Sequence, residues 1–486
     1  MRLRKLLREL HENPHDKALI SELEKAIVSD PRRLGNALER HFRKTPESDV
    51  KILHQGFLGK PATGPRQTWE NQLKNQVVQP LQYFYPTSMM DPDDKQSILN
   101  ILTRALNSGV RVKAAGSGHS YSDVATTPDF FINTHGLNAT ANASKPLTGQ
   151  LSQEQLRTDL PLIWQEANWQ DYDPEKNHAL YETEAGITIH DLNKKLWKAN
   201  LGLLNMGGYD GQTMVGAVST STHGSGITLG PFPSMVRSLV LATTGHYNGT
   251  KIGSAKPING ISLYRIEPSD GITNPDKYDD PNVLLIQNDQ CFESVVTSMG
   301  CMGVIYSVVI EVSQNYWLSE VRTKSDWAST MAKLQPNPDN PNSLPDILHN
   351  NRHFEFYQSP YPNSDGLYPN IECVRNIVPD PGGIFQRKGH RQFITSLLGK
   401  FDISFEILVA FLNAFPAISP FAIEAALDGL VTPNPPYINK SYDIFNLGVN
   451  GNAGFASEVS YPIGDPPTYN PAKLFAGVQH IFDTAI

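Results

Sequence analysis

The sequence predicts an α+β chain of two unequal lobes behind a helical N-terminal extension. Three observations carry this. At 486 residues and 53.8 kDa, the chain exceeds what one hydrophobic core serves. Helix-type and strand-type periodicities alternate through residues 80–315. Beyond residue 316 the character changes: Pro and Asn cluster between Gln335 and Pro345, an alternating strand is expected at His353–Tyr357, and a hydrophobic helical block runs from Phe401 to Leu430. The expected division is an extension at 1–65, a first lobe at 66–315 and a second at 316–486.

In the extension, Leu3, Leu6, Leu7 and Leu10, then Leu19, Leu23 and Ile27, recur at helical spacing. The Asp30-Pro31 pair opens another short helix by capping logic, and Gly59, Pro61, Gly64 and Pro65 punctuate a linker. Asp91 is a good N-cap, with Pro92 suited to the first helical position and Gly109 to the stop. Ile98, Leu102 and Leu106 are the expected buried stripe, followed by a strand at Val110–Ala115. A second helix is expected at Ile189–Asn200, with Leu192 and Leu196 inward and Gly202 ending it. β-Branched runs at Leu239–Thr244 and Val304–Val312 read as strands.

Apolar residues are 39% and charged residues 19%, with 36 Gly and 36 Pro, which describes a loop-rich globular chain rather than a disordered or coiled-coil one. A net charge of −8 gives no reason to expect nucleic acid as a partner. Three cysteines, Cys291, Cys301 and Cys373, without CxxC spacing argue against a disulfide framework or a cysteine zinc site and are expected as buried thiols. The opening MRLRKLLREL lacks an apolar signal region, so a cytoplasmic location is the default. The apolar stretch Ile407–Ile423 contains Pro416 and Pro420 and is too short for a span; a peripheral membrane contact is the weaker alternative. The acidic Asp171, Asp173 and Glu175 read as solvated surface, because the glycine and terminal glutamate of a calcium loop are missing, and no metal site is expected.

Three segments invite chemistry. AGSGHSYSD, Ala115–Asp123, follows a strand with small residues whose amides can turn toward one electron-rich group; its plain alternative is a surface turn with an incidental histidine. Tyr121 stands where a dinucleotide fingerprint needs glycine, so the Rossmann reading fails. QTMVGAVSTSTHGSG, Gln212–Gly226, alternates hydroxyl residues and glycines, which suits lining a polar ligand or forming a flexible loop. SMGCMGVIYSVVIEV, Ser298–Val312, reads as a glycine-spaced bend into a strand. A serine elbow, a zinc HExxH pair and a phosphate-binding lysine loop are all missing.

In this order, and with TWENQLKNQVVQPLQYFYPTS ahead of them and ETEAGITIHDLNKKL between, these segments resemble the vanillyl-alcohol-oxidase superfamily, specifically its sugar-lactone and alditol oxidase branch, over roughly Thr68 to Pro462. The resemblance implies a two-subdomain FAD-binding domain of the PCMH type and a sheet-plus-helix substrate (cap) domain. It implies FAD joined covalently through His119, with Gly116, Ser117, Gly118, Ser120 and Asp123 around the phosphates and ring edge. Gly216, Ser219, His223, Gly224 and Gly226 match the pyrophosphate loop, and Val304 the adenine side. No cysteine lies near Leu204–Gly208, so a single link is implied.

HFEFYQSPYP, NKSYDIF and SEVSYPI are similar to the family's substrate-domain landmarks. In the last, Glu458 matches a carboxylate at the flavin face that assists hydride transfer; the plain alternative is an exposed strand glutamate. The implied activity is oxidation of a CH–OH group of a polyol or aldonolactone, with hydride passing to flavin N5 and O2 accepting electrons to give peroxide. A same-fold dehydrogenase using a quinone or cytochrome, and a catalytically silent flavin-binding protein, are the alternatives. The family's closing His-Trp-x-Lys segment has no counterpart here, so the second lobe reads as incomplete on that comparison.

Overall fold

The computed structural model describes residues 3–13, 16–29, 67–72, 74–91, 93–141, 146–160, 163–164, 169–340, 342–382, 412–432, 436–446, 462–464 and 469–485. They form a mixed helix and sheet structure. Helices Leu3–Glu12 and Lys17–Ser29 pack against each other through buried leucines, among them Leu6, Leu7, Leu10 and Leu23, as the spacing requires. The second helix also touches the 3₁₀ turn Pro416–Ile418, so the extension lies against the helical part of the C-terminal lobe.

A parallel three-stranded sheet comes next, with Phe130–Asn133 between Gln82–Phe84 and Val112–Ala115. Its helix spans Ile98–Ser108, later than the expected start at Asp91. Two cap signals compete here. Asp94 binds the Ser88 hydroxyl and holds a turn, while Ser97 accepts from the Asn100 amide and caps the helix. Gly109 stops it with φ +64°, a left-handed conformation that costs glycine no steric clash. The inward stripe is Ile98, Ile101, Leu102 and Ala105; Leu106, expected inside, is 44% exposed.

The main sheet has seven strands. Val304–Gln314 lies at its centre, antiparallel to both Val236–Thr243 and His178–Glu184. Ser262–Glu267 and Leu284–Gln287 extend one side, Ile163–Trp164 ends the other, and Leu201–Gly202 pairs with the end of the central strand. All but the last residue of Val304–Gln314 are buried, which its run of β-branched residues anticipates. Helix Ile189–Lys198 buries Leu192 and Leu196 on this sheet. It ends at Asn200, with φ +60°, and not at Gly202, which is already strand. Inside the sheet an ion pair joins Glu182 to Arg265 at 3.0 Å, both side chains fully buried.

An antiparallel four-stranded sheet follows in the order His353–Gln358, Pro369–Val378, Trp317–Asp326, Tyr437–Lys440. Phe482 of the helix Pro471–Ala485 stacks on Trp327 at 3.9 Å, tying that helix to this lobe. Asn315 and Tyr316 join the two large sheets. The Asn315 amide donates to Asn200 O at 2.9 Å, Tyr316 Oη donates to Leu203 O at 2.9 Å, and Tyr316 O accepts from the Ser441 amide at 3.0 Å. The expectation of three buried thiols is corrected. Cys373 is buried, Cys291 is half-buried and Cys301 is exposed, because the 299–302 bend turns outward beside Met299 and Met302. Among the described residues no helix is long and apolar enough to cross a membrane.

Candidate functional site

The strand Val112–Ala115 delivers its chain into the Gly116–Ser122 loop at the edge of the three-stranded sheet. Two further segments arrive at the same place: Gln212–Thr220, which enters the short helix Met214–Ser219, and Met299–Ile305, the bend into the central strand. Together they line a groove enclosing about 910 Å³, part of it continuous with solvent. The three segments singled out in the sequence, each roughly 90 residues from the next, therefore share one cavity.

At the base of the groove lies Thr213. It occupies the N-cap position of its helix yet makes no capping hydrogen bond, and its Oγ1 is buried with no hydrogen-bond partner among the described residues. Its neighbours explain the glycines around it. A Cβ on Gly116 would overlap the Thr213 hydroxyl, and one on Gly216 would come within 2.7 Å of it. Two glycine backbones thus close around a hydroxyl that has no hydrogen-bond partner among the described residues. A buried hydroxyl left so costs about 1–3 kcal/mol, which calls for a water or a ligand as its partner.

Other hydroxyls nearby are committed. Ser117 Oγ donates to Gly211 O at 2.6 Å and lies 3.2 Å from His135 Nε2, whose other ring nitrogen is 2.7 Å from Asn133 Oδ1. Thr220 Oγ1 donates to Gly216 O at 2.9 Å. Lys113, the one charged side chain among the described lining residues besides histidine, reaches over the rim to donate to Met299 O at 2.6 Å. A groove with amides, hydroxyls and one cation, and with no carboxylate in its described lining, is electrostatically suited to an anion.

His119 also lines the groove. Its ring stacks on Tyr209 with centroids 4.5 Å apart, and Tyr121 meets it edge-on at 5.5 Å. Burial pushes its pKa below the ordinary histidine value, so the imidazole is neutral near pH 7. The hairpin Trp69–Val78 braces this loop: the Gln72 amide donates to Gly118 O at 2.9 Å, Asn71 Nδ2 to Ser120 O at 2.9 Å and Asn75 Nδ2 to Tyr121 O at 2.7 Å. Gly118, at φ +69°, packs so closely on this hairpin that a Cβ would lie 3.1 Å from Asn71 Cα.

Of the expected site residues, Gly116, Ser117, Gly118, His119, Ser120, Gly216 and Ser219 line the groove. Five others do not. Asp123 begins a 3₁₀ turn whose next two residues, Val124 and Ala125, supply the wall instead. Val304 is buried in the core, because strand alternation turns it to the opposite face from Ile305. His223 is exposed, with Nδ1 2.9 Å from Gly224 O. Gly224 and Gly226 lie farther along, packed on Asn205 and Met206 and on Arg352 and His353 respectively. Glu458 lies outside the described residues. Thr213, Gln72, Tyr209 and Lys113 were not singled out by sequence reasoning. For Thr213 the one available signal was its place between two of the glycines, and that is visible only after folding.

No protein-family model matches the chain. Among curated proteins, the L-gulono-1,4-lactone dehydrogenase of Mycobacterium tuberculosis is 24% identical over 276 residues, 57% of this chain and 47% of that protein. The L-gulonolactone oxidase of Bos taurus is 26% identical over 260 residues, 54% of this chain and 42% of its own length. The D-arabinono-1,4-lactone oxidase of Yarrowia lipolytica is 30% identical over 162 residues, 33% and 24% respectively. The matches thus span less than half the length of these relatives. Among solved structures, a histidine-to-alanine variant of cholesterol oxidase from Brevibacterium sterolicum superposes with a TM-score of 0.50 at 15% identity, covering 80% of this chain and 64% of that one. That likeness concerns the fold alone. Over the shared stretch, the chain is a homologue of proteins named as aldonolactone oxidases and dehydrogenases.

Proposed function

We propose that this chain is a flavoprotein oxidoreductase that holds FAD in the groove and oxidises a CH–OH group of an aldonolactone or polyol. The observation that carries the reading is the convergence of the 113–120, 212–220 and 299–305 segments on one groove with the orphaned Thr213 hydroxyl at its base. The donor set fits the cofactor. Gly116 and Gly216 leave room for a diphosphate beside Thr213, and Lys113 stands at the rim as the cation. Ser117, Gly118, Ser120 and Ser219 line the remaining wall, and His119 is the proposed covalent tether. In this reading the three- and seven-stranded sheets are the two halves of a PCMH-type FAD domain at 66–315, and the four-stranded sheet is the cap at 316–486.

When bound, FAD supplies a hydride acceptor at N5. The chain's own contribution is to orient the donor carbon, exclude water and take the hydroxyl proton, the last assigned to Glu458. Dioxygen as the electron acceptor, giving peroxide, is the first reading, as in the relatives named oxidases. A dehydrogenase passing electrons to a quinone or cytochrome is the second, favoured by the name of the mycobacterial relative.

The test uses the purified full chain. A flavin spectrum is expected, with yellow colour retained in the acid-precipitated protein. L-Gulono-1,4-lactone, D-arabinono-1,4-lactone or xylitol should bleach it anaerobically, and an oxygen electrode then separates the two acceptors. Absence of bound flavin overturns the cofactor assignment. A bound flavin that no lactone or polyol bleaches overturns the activity and leaves the silent flavin-binding reading.

A further inference from the structure

Behind the groove wall at Ser117 stands a second histidine. Ser117 Oγ donates to Gly211 O at 2.6 Å, and His135 Nε2 approaches the same hydroxyl oxygen at 3.2 Å. The other ring nitrogen is fixed from two sides. Asn133 Oδ1 accepts from the His135 backbone amide at 3.1 Å and lies 2.7 Å from Nδ1, while Asn133 Nδ2 donates to Tyr83 Oη at 2.7 Å. An amide oxygen only accepts, so Nδ1 carries a proton. Nε2 is then the nitrogen that gains or loses one, and it faces the serine of the groove wall. Burial lowers the pKa of His135 below the ordinary histidine value, so the ring by itself is neutral near pH 7.

A diphosphate diester brings two negative charges, whereas the described lining offers one cation apart from histidine, Lys113 at the rim. We propose that His135 is the second cation of the groove: it takes up a proton on Nε2 when a diphosphate enters and releases it when the diphosphate leaves. This rests on the reading of the groove as a site for FAD. Once protonated, Nε2 donates to Ser117 Oγ, which keeps its own bond to Gly211 O, so the charged form gains a hydrogen bond and the field of the anion together. The titratable groups on the surrounding elements leave the ring itself unpaired. Tyr83 is bound to Asn133, and Tyr85 packs against Gly136. Lys195 Nζ donates to Asn138 O, and Glu184 accepts from the Ala139 amide. Asp210, next to Gly211, is bound by His190 and Asn446, and His119 pairs with Gln72. Because the liganded ring holds its proton to higher pH than the unliganded one, affinity for the diphosphate rises as pH falls through that interval.

The experiment counts protons. ADP-ribose shares the diphosphate half of FAD, holds a constant charge between pH 6 and pH 8, and has no flavin ring. The full-length apoprotein, produced under riboflavin limitation, is titrated with it by calorimetry at pH 7 in two buffers of different ionisation enthalpy, and again at pH 6 and pH 8. Net uptake of about a third of a proton or more is expected, with binding about threefold or more tighter at pH 6 than at pH 8. His135→Gln keeps an amide donor toward Ser117 but does not titrate, and should bind equally at both pH values. His119→Ala, which removes the other histidine beside Ser117, should retain the dependence. Binding without proton uptake in the parent, a result that needs no variant to fold, overturns the role of His135. So does a His135→Gln chain with the parental pH profile, or a His119→Ala chain that loses it. A chain that binds neither ADP-ribose nor FAD overturns the cofactor assignment on which the proposal rests.

Discussion

Thr213→Val removes one oxygen and preserves shape, and the structure assigns it opposite effects on two properties. Without ligand, the Thr213 hydroxyl is buried and unpartnered, so a methyl in its place should stabilise the apoprotein by about 1–2 kcal/mol, within the range for an unsatisfied buried hydroxyl. With FAD bound, the same replacement deletes a hydrogen bond to a charged acceptor, worth about 1.5–3 kcal/mol, and affinity should fall roughly 10- to 100-fold. The two are best measured in a His119→Ala background, where flavin binding is a reversible equilibrium: urea unfolding of the apoprotein for stability, and quenching of flavin fluorescence for affinity. An apoprotein made less stable by Thr213→Val, together with unchanged FAD affinity, would refute the assignment of this hydroxyl to a ligand. Gly116→Ala provides a complement. Its Cβ must push Thr213 aside, so affinity should fall without any gain in apoprotein stability.

Three further outcomes are expected. Glu182→Gln strands the Arg265 guanidinium inside the main sheet, where it otherwise pairs with Glu182 at 3.0 Å and Ser238 Oγ at 2.7 Å, and should cost about 3–5 kcal/mol in urea unfolding. The His353 ring, with Nδ1 2.9 Å from Ser225 O, has its pKa lowered to about 3, by burial first and then by Arg375 and Arg352. Because the unfolded histidine binds a proton near its ordinary pKa and the folded one does not, stability is lost as pH falls from that value toward 3. His353 should thus make the protein about 2 kcal/mol less stable at pH 5 than at pH 7, a dependence that His353→Gln should remove in paired urea titrations. Glu458→Gln should leave flavin bound while slowing anaerobic bleaching by a lactone about 100-fold or more, measured by stopped flow.

What was legible in the sequence is what short-range chemistry encodes. The glycine and hydroxyl runs at 115–123 and 212–226 announced a polar cavity, and most of their expected residues line the groove. Helix and strand placement was right where one signal dominated, as in Val304–Gln314, and drifted at the helix expected from Asp91, where Asp94 holds a turn and Ser97 is the cap. Thr213 was hidden because hydroxyls are common in its segment, and the orphaned one is identified only by which glycines fold against it. Gln72 was hidden because its partners, His119 and Tyr209, are 47 and 137 positions away. Similarity marks the strand at Val304, while only the register decides that its neighbour Ile305 is the one facing the cavity.

The seam at Asn315 and Tyr316 bears on how any substrate comes and goes. Two long strands run into it from opposite sides, and backbone or side-chain hydrogen bonds clamp both residues. Such a splint ties the ends of the two sheets together, so any swing of one sheet away from the other about this point has to break these hydrogen bonds.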